Sequence, residues 1–455
     1  MPLSIVILAA GKGSRMKTHL PKVLHPVGGL PMLGHVLRTA AALNPQQIVM
    51  VLAPDDVEVR ATLPSLLEGG QDPAMPSPIL VEQKEPLGTG DAVKAALPFL
   101  SHSEEENVLI LCGDTPLLSP DTLRKIIDAP APLCLGAMEV APPHGYGRLL
   151  THGEKAIGIV EALQATSEHL DITLCYSGVM RVSARILQDL LPHVRPTAPK
   201  NEYYFTDLVA LAHTAHKNVT WVMGTEEEFS GVNTQMDLAR TENTFQNQRR
   251  HSHLSAGVRM IDPSSVYFSF DTRIGPDTVI YPHVFFGTGV TVGSHATLRP
   301  FSVLTQCTLE DHVTVGPCAH LRPGTHLETG ARVGNFVEIK NSRLGPAAHA
   351  DHLTYLGDTQ VGAKASIGAG TITCNYNSVQ KFSTSIGPSA FIGSNTTLVA
   401  PLHIGANAFV AAGSVITKDV SENAMAFGRS FQQERPGYAE IFRKKALLEK
   451  QRQES

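Results

Sequence analysis

The carboxy-terminal half of the chain carries an apolar residue at every sixth position, and this period is the feature that most constrains the fold. This repeat begins at Gly257, shifts by one residue after Leu304, and resumes with the same six-residue step near the C-terminus. The apolar positions are Ile274, Ile280, Phe286, Val292, Leu298, Leu304, Leu309, Val315, Leu321, Leu327, Val333, Ile339, Ile386, Ile392, Leu398, Ile404, Val410 and Ile416. An α-helix cannot keep a period of six in phase, whereas a parallel β-helix places one inward side chain on each flat side of its coil. We therefore predict a parallel β-helix; a β-sandwich with evenly spaced turns is the alternative.

Two stretches leave this phase, at Leu344–Leu356 and at Thr373–Ser385. Because extra residues must leave the coil there, we expect a loop at each. Glycine often follows the inward position, as at Gly275 and Gly293, and we assign these glycines to the corners of the coil. The repeat stops after Asp419, and the charged tail from Glu434 is expected to be helical or frayed.

The first 234 residues instead alternate short aliphatic runs with amphipathic stretches, which indicates an α/β domain with a mostly parallel sheet and helices on both faces. The predicted strands are Ser4–Ala10, Gln47–Ala53, Asn107–Cys112, Leu133–Val140 and Val219–Met223, and the predicted helices are His35–Leu43, Gly90–Leu97, Asp121–Ile127 and Thr206–Ala215. Thr234 and Asp237 form a helix-start box before a polar helical stretch. We therefore divide the chain into an α/β domain over 1–234, a helical linker over 235–256, and a β-helix domain with its tail over 257–455.

Composition excludes several classes of partner. The 455 residues include 37 Lys and Arg against 42 Asp and Glu, so the formal charge of −5 gives no electrostatic reason to expect a nucleic acid or a membrane surface. No apolar run approaches the roughly 18 residues of a membrane span. The six cysteines show no Cys-x-x-Cys pair, which is typical of a reducing compartment, and we expect a cytoplasmic protein.

The first predicted strand leads into a glycine turn that carries basic residues. Gly11-Lys12-Gly13-Ser14-Arg15-Met16 is followed by Pro21-Lys22. This turn is neither a Walker loop nor a dinucleotide fingerprint, but its backbone amides and cations suit phosphate. Asp114 ends a later strand and is expected to bind Mg²⁺, which prefers few carboxylates plus phosphate oxygens. The whole pattern, from Leu8-Ala9-Ala10-Gly11 to Pro21-Lys22, resembles the signature of sugar-1-phosphate nucleotidyltransferases.

A second group of polar residues lies in the β-helix. Leu321-Arg322-Pro323-Gly324, Asn335–Lys340, His352–Gly357, Gly368–Thr371, Cys374–Asn377 and Lys381 follow one another around successive coils. Arg322 and Lys340 are 18 residues apart and would stack in neighbouring coils of three six-residue sides. Two stacked cations either hold an anion between them or splay into solvent.

With both halves in this order, nearly the whole chain resembles the family of bifunctional N-acetylglucosamine-1-phosphate uridylyltransferases / glucosamine-1-phosphate N-acetyltransferases. The resemblance implies a Rossmann-like nucleotidyltransferase domain followed by a left-handed parallel β-helix of hexapeptide repeats. It implies acetyl transfer from acetyl-CoA to glucosamine 1-phosphate, and then uridylyl transfer from UTP with release of pyrophosphate. Mg²⁺ is the implied cofactor, acetyl-CoA and UTP are the co-substrates, and a homotrimer is the implied assembly.

The resemblance also assigns residues, position by position. For uridylyl transfer it implies Arg15 and Lys22 as catalytic cations, Asp114 and Asn233 as metal ligands, and contacts to UTP or the sugar from Leu8, Ala9, Ala10, Gly11, Lys22, Gln83, Gly88, Thr89, Cys112, Gly113, Asp114, Gly147, Glu161, Tyr176 and Asn233. For acetyl transfer it implies His352 as general base, Arg322, Lys340, Tyr355, Ser366 and Lys381 at the sugar phosphate, and Ala369, Asn375, Tyr376, Ser394, Ala412 and Arg429 at acetyl-CoA.

Tyr176 and Ser366 depart from the family pattern, because they stand where the family has Asn at the sugar. A phenol cannot reproduce the paired donor and acceptor of an amide, and a serine hydroxyl is shorter. One alternative is a sugar nucleotidyltransferase whose β-helix is only an oligomerisation platform, and another is a non-catalytic assembly subunit. The basic and imidazole groups of the β-helix argue against the first, and the retained phosphate and metal residues of the first half argue against the second.

Overall fold

The computed structural model describes residues 2–67, 76–142, 145–198 and 201–453. They form two compact units. The first comprises the described part of Met1–Ser252 together with Phe268–Phe270, and the second comprises His253–Tyr267 and the described part of Asp271–Ser455.

The first unit is built on one mixed sheet covered by helices. The strands of this unit are β1 (Leu3–Leu8), β2 (Pro26–Val27), β3 (Leu30–Pro31), β4 (Gln47–Leu52), β5 (Ile79–Glu82), β6 (Asn107–Cys112), β7 (Leu133–Glu139), β8 (Arg148–His152), β9 (Lys155–Val160), β10 (Leu174–Ser183) and β11 (Val219–Met223). Strands β2 and β3 form a small two-stranded sheet of their own. The helices are α1 (Met32–Ala41), α2 (Val57–Leu67), α3 (Thr89–Ala96), α4 (Pro120–Asp128), α5 (Ala184–Leu190), α6 (Asp207–Thr214), α7 (Glu226–Phe229) and α8 (Gln235–Ser255), whose last residues after Ser252 belong to the second unit.

The strand order of this sheet is β11-β7-β10-β6-β1-β4-β5, with the β8–β9 hairpin attached to β10. Strands β1, β4, β5 and β6 run parallel, while β10 is antiparallel to β6 and β7. Ile5, Val6 and Ile7 are all fully buried, because helices cover both faces of the sheet. The predicted α/β class is confirmed.

The sheet places two loops that carry predicted site residues side by side. Strands β1 and β6 pair in parallel so that Leu8 lies opposite Cys112, and the Gly113 amide donates to the Leu8 carbonyl at 2.9 Å. The glycine turn after β1 and the loop containing Asp114 after β6 therefore leave the same edge of the sheet. This is the edge at which open α/β sheets bind ligands.

The helix-start box before α8 forms as predicted. The Asp237 amide donates to Thr234 Oγ1 at 3.2 Å, and the Thr234 amide donates to Asp237 Oδ2 at 2.9 Å. Each side chain thus satisfies a backbone donor of the first turn that the helix itself leaves unpaired.

The second unit is a left-handed parallel β-helix with three flat faces, which a coil visits in the order I, II, III. Face I contains Arg259–Met260, Val279–Ile280, Thr297–Leu298, Thr314–Val315, Arg332–Asn335, His349–His352, Ser366–Ile367, Phe391–Ile392, Phe409–Val410 and Met425–Ala426. Face II contains Phe285–Phe286, Val303–Leu304, His320–Leu321, Glu338–Lys340, Tyr355–Gly357, Ile372–Cys374, Thr397–Val399 and Val415–Ile416. Face III contains Arg273–Ile274, Thr291–Val292, Cys307–Leu309, Thr325–Leu327, Arg343–Leu344, Thr359–Val361, Thr384–Ile386 and Leu402–Ile404.

The predicted period matches this coil. Ile280 pairs with Leu298 in the next coil, 18 residues on, and Val292 pairs with Leu309 because one side is a residue shorter. The apolar positions point inward and are buried, with Ile274 at the open first coil only half-buried. Leu298, Leu304 and Leu321 have no exposed surface.

The corner assignment of the glycines needs correction. The left-handed backbone of the corners falls three residues after most inward positions and is taken largely by other residues, such as Asp277 and His295. The glycines directly after the inward position have a different role, since a Cβ on Gly275 would lie 2.7 Å from the carbonyl carbon of Gly293 in the next coil. These glycines are required by the close approach of neighbouring coils.

The loop predicted over Leu344–Leu356 is wrong. Ala350 is fully buried and takes the inward position between Leu344 and Leu356, pairing with Val333 of the preceding coil. The phase is hidden in the sequence because alanine carries the inward position, and because the sides from Ile339 to Leu344 and from Leu356 to Val361 have five residues instead of six. The loop over Thr373–Ser385 is confirmed, because residues 375–383 lie outside the strands of the coil.

The tail forms α9 (Tyr438–Gln453), whose residues are exposed. Over the ranges that the structure describes, no helix has the length and apolar character needed to cross a bilayer.

Candidate active sites

The first candidate site lies at the ligand edge of the α/β sheet, where two cations and two oxygen donors meet. Arg15 Nη2 donates to Asn233 Oδ1 at 2.8 Å, and Lys22 Nζ donates to the same oxygen at 3.2 Å. Lys22 also forms an ion pair with Asp114. Residues from four separate segments of the chain are thus brought together in one place.

Short 3₁₀ helices over Ser14–Met16 and Lys22–Leu24 position the two cations. Gly13 precedes the first of them with a φ of 60°, in the left-handed region that glycine adopts without strain. The loop can therefore turn sharply after β1 and present Arg15 towards Asn233.

The oxygen donors of this site fit a divalent cation. Asp114 and Lys22 have side-chain exposures of only 16% and 13%, so the pair is largely removed from water. The Asp114 carboxylate and the Asn233 amide oxygen converge on one ammonium group, which marks a place where positive charge is stabilised. Hard oxygen ligands of this kind are the ones that Mg²⁺ prefers.

A second part of the site lies beside β5 and α3. Gln83 Nε2 donates to the Gly88 carbonyl and to Asp91 Oδ2, each at 3.0 Å, and Thr89 Oγ1 accepts from the Phe205 amide at 3.0 Å. A cavity of about 240 Å³ opens between Ala10, Lys12 and Gln83. Gly88 has a φ of 106°, and a Cβ there would lie 2.6 Å from the Tyr203 carbonyl oxygen, so only glycine fits.

The residues predicted at the sugar also come together. Glu161 Oε1 accepts from the Thr206 hydroxyl at 2.7 Å, and burial raises the pKa of Glu161 although that bond opposes the shift. The Tyr176 amide donates to the Gly147 carbonyl at 2.8 Å. Burial raises the pKa of Tyr176 well above its usual range, with the neighbouring Cys112 and Glu161 adding to the shift, so its phenol remains a hydrogen-bond donor.

The second candidate site lies on the β-helix, at the corner between faces I and II. His352 ends a strand of face I and is exposed, and its Nδ1 lies 2.6 Å from Asn335 Oδ1 in the preceding coil. Because an amide oxygen only accepts, Nδ1 carries the hydrogen and Nε2 is left with a free lone pair. A cavity of about 280 Å³ adjoins both side chains.

Cations gather at the opposite edge of face II. Leu321 pairs with Ile339, so that Arg322 and Lys340 follow one another in neighbouring coils as predicted. The positive charge of Lys381, and then that of Arg322, lowers the pKa of Lys340. Glu338 Oε1 accepts from Arg322 Nη1 at 2.7 Å and balances one of them.

Tyr355 lies on face II, between His352 at one edge and the cations at the other. A Cβ on Gly357 would lie 2.5 Å from the Tyr355 hydroxyl and 2.6 Å from Asn375 Nδ2, so the absence of a side chain at Gly357 makes room for both groups. Asn375 Nδ2 donates to Asp358 Oδ2 at 2.5 Å.

A single corner connects His352 to the residues predicted at acetyl-CoA. The Gly370 amide lies 3.4 Å from the His352 carbonyl, the Asn395 amide donates to the Ala369 carbonyl at 2.7 Å, and the Gly413 amide donates to the Ser394 carbonyl at 2.8 Å. Arg429 lies close to Gly413, with its Cδ 3.6 Å from a Cβ built there. Ala369, Ser394, Ala412 and Arg429 therefore follow one another along this corner.

Two predicted residues lie apart from these groups. Ser366 is on face I beside His349, whereas Lys340 is at the far edge of face II. The Tyr376 hydroxyl donates to the Ser378 carbonyl at 2.6 Å, within its own loop.

Several contacts at the two candidate sites come from residues that sequence reasoning did not select as site residues. They are Thr206, Asp237, Asn335, Glu338 and Asp358. The signal for Asn335 was present in the repeat, because it lies one coil of 17 residues before His352.

The comparisons with known proteins agree with both units. Residues 5–196 match the MobA-like NTP transferase domain, and residues 383–418 match the bacterial transferase hexapeptide (six repeats). The fold and these matches define a nucleotidyltransferase joined to a hexapeptide-repeat transferase.

Relatives match over nearly the full length. The chain is 43% identical to the bifunctional protein GlmU of Paramagnetospirillum magneticum, over 98% of this chain and 98% of that one. It is 44% identical to the bifunctional protein GlmU of Paracoccus denitrificans and 45% identical to that of a Ruegeria species, over 96% of each chain in both comparisons. The chain belongs to the bifunctional GlmU family, and it is an enzyme with both a nucleotidyltransferase and an acyltransferase activity.

Proposed function

We propose that the β-helix acetylates glucosamine 1-phosphate with acetyl-CoA, and that the α/β unit then couples N-acetylglucosamine 1-phosphate to UTP and releases pyrophosphate. The observation that carries this proposal is that a chain of this family has both groups of side chains assembled: Lys22 with Asp114 and Asn233, and His352 with Asn335. We also propose that the functional domains are 1–234, 235–256 and 257–455.

In uridylyl transfer, an oxygen of the sugar phosphate attacks the α-phosphorus of UTP. A new P–O bond forms, the bond to the β-phosphate breaks, and pyrophosphate leaves. Such a step needs positioning and neutralisation of charge more than it needs a protein nucleophile. Arg15 and Lys22 supply fixed positive charge to the phosphates, and Glu161 with Tyr176 positions the sugar.

Mg²⁺ is the proposed cofactor of this half. Asp114 and Asn233 would hold it, and it would neutralise charge on the transferred phosphoryl group and the leaving pyrophosphate. The backbone of Leu8–Gly11 and Gly113, with Gln83, Gly88, Thr89 and Cys112, would bind the nucleotide.

In acetyl transfer, the sugar amine attacks the thioester carbonyl carbon of acetyl-CoA. The C–N bond forms, the C–S bond breaks, and the coenzyme A thiolate leaves. His352 Nε2 accepts the amine proton while Asn335 holds Nδ1, an arrangement that supports general-base catalysis near neutral pH. Arg322, Lys340 and Lys381 would bind the phosphate, with Tyr355 beside them.

We propose the homotrimer that the family resemblance implies, and an exposed apolar corner next to His352 supports association between copies of the chain. Phe301, Phe336 and Leu353 are each 60% exposed, and all three have left-handed backbone. Bulky residues are rare in that conformation, and placing them there in water supports burial against another copy of the chain. Light scattering would give a trimer mass. Among the described residues the cysteines form no disulfide bond, which supports a reducing cytoplasm.

Two half-reactions, assayed separately, test the proposal. Asp114→Ala should abolish uridylyl transfer and leave acetyl transfer intact, with the exposed Asp121→Ala as matched control. His352→Ala should abolish acetyl transfer and leave uridylyl transfer intact, with His349→Ala on the same strand as matched control. If His352→Ala retained full acetyl transfer, the general-base role proposed for His352 would be wrong.

A further inference from the structure

Helix α8 is more than a linker, because its first turn holds the backbone of Asn233. Asp237 Oδ2 accepts from the Thr234 amide and the Thr234 hydroxyl, both at 2.9 Å. It also accepts from the Asn233 amide at 3.1 Å. A helix-start box requires only the bond to the capping residue. The additional bond reaches one residue further back, to the candidate metal ligand.

Asn233 is fixed on its other side as well. The Val232 amide donates to the Asp114 carbonyl at 3.0 Å, which ties this segment to the loop after β6. The Asn233 side chain then points its amide oxygen at Arg15 and Lys22, while its nitrogen lies 3.4 Å from the Gly231 carbonyl. With the backbone held at both ends, the amide oxygen faces the cations.

The same helix also anchors the basic loop. Gln235 Nε2 lies 3.4 Å from the Met16 carbonyl, and Met16 packs with Val232 and Phe245 in one buried cluster. Two residues of the site, Arg15 and Asn233, are therefore each adjacent in sequence to a residue fixed on or beside α8.

We propose that Asp237 is a positioning residue for uridylyl transfer. Its carboxylate sets the backbone of Asn233 and, through it, the place of the amide oxygen that would face the metal. A carboxylate suits this task because its bonds to backbone N–H groups are charge-assisted, and because negative charge is favoured at a helix N-terminus. The inference rests on the metal role proposed for Asn233.

The test of this role is to measure Mn²⁺ binding to the full chain by electron paramagnetic resonance, in the presence of UTP. Loss of a group that orients a metal ligand typically weakens metal binding by a factor of roughly 10 to 100, so we expect Asp237→Ala to raise the Kd of Mn²⁺ about tenfold. The Mg²⁺ concentration for half-maximal uridylyl transfer should rise in parallel. Asp237→Glu keeps a carboxylate at this position of the helix and should restore most of the affinity. Acetyl transfer in the same chain should not change.

Ser183→Ala is the matched control for loss of a helix cap. Ser183 Oγ accepts from the Ile186 amide at the start of α5. Ser183 also pairs with Asn107, which lies at the end of β6 remote from Asp114. The Ser183→Ala variant should have a lower free energy of unfolding but the same Kd for Mn²⁺. If Asp237→Ala also left the Kd unchanged while Asn233→Ala raised it, Asp237 would only cap the helix and the inference would be wrong. If Asn233→Ala itself left the Kd unchanged, the metal role of Asn233 would fail, and the inference with it.

Discussion

The contact between Asn335 and His352 makes a quantitative prediction about acetyl transfer. At 2.6 Å, the bond holds Nδ1 of the imidazole so that Nε2 is free to accept the amine proton. Replacing Asn335 by alanine removes this bond but leaves the base in place. A neutral hydrogen bond contributes about 1 kcal/mol, so kcat for acetyl transfer should fall roughly fivefold if only orientation is lost. Loss of the base itself in His352→Ala should cost roughly 10² to 10⁴ in rate.

Asn335→Asp probes the same contact through charge. A carboxylate within hydrogen-bond distance of the imidazole would favour its protonated form, which cannot accept the amine proton. The acid limb of the pH–rate profile should therefore move to higher pH, by about one unit. The assay measures the rate at which the coenzyme A thiol is released, with glucosamine 1-phosphate as the acetyl acceptor, from about pH 6 to about pH 9.

Uridylyl transfer by the same preparations is the control for folding. Equal losses of acetyl transfer in Asn335→Ala and His352→Ala would refute the reasoning, because Asn335 would then be doing more than orienting the base. An unchanged rate in Asn335→Ala, together with an unchanged pH–rate profile in Asn335→Asp, would also refute the reasoning, because Asn335 would then have no effect on the base.

Three further predictions concern titrating and charged groups. Burial raises the pKa of Glu161, so its ionised form is unfavourable in the folded state. Glu161→Gln should therefore raise Tm at about pH 8, and this gain in Tm should shrink as the pH falls and the wild-type carboxyl takes up a proton. The same variant should have a higher KM for N-acetylglucosamine 1-phosphate. Lys381→Ala should raise the KM for glucosamine 1-phosphate about tenfold, less at high salt, and should let the pKa of Lys340 rise because the largest repulsion on it is removed. Burial raises the pKa of Cys112 to about 12, whereas Cys374 is exposed; mass spectrometry after iodoacetamide treatment at about pH 8 should find Cys374 alkylated first.

The sequence predicts the β-helix well because its signal is local and repeated. Each coil needs an inward apolar residue on each face, so the period appears directly in the sequence. The prediction fails over Leu344–Leu356, where Ala350 fills an inward position and two short sides shift the phase. The number of residues on each side of the coil is set by packing between neighbouring coils, so it cannot be read from the sequence of one coil alone.

The sites were predicted less completely, because they depend on contacts between distant segments. Lys22 and Asp114 were selected from the glycine turn and the strand end, and Asn233 followed from the family resemblance; the structure brings the three together. Asn335 and Asp237 were not selected as site residues. Each contacts another candidate site residue through a hydrogen bond, and neither the helix-start box of Asp237 nor the repeat position of Asn335 reveals that contact by itself.

The central claim is that two separate sites in one chain act in sequence, and one coupled reaction tests it directly. Glucosamine 1-phosphate, acetyl-CoA, UTP and Mg²⁺ are supplied together, and products are followed by ³¹P NMR. We expect wild type to form the uridine diphosphate sugar, Asp114→Ala to stop at N-acetylglucosamine 1-phosphate, and His352→Ala to leave glucosamine 1-phosphate unchanged. Mixing the two variants should restore the final product, because each retains one intact site. Formation of the nucleotide sugar by Asp114→Ala alone, or of the acetylated phosphate by His352→Ala alone, would contradict the account.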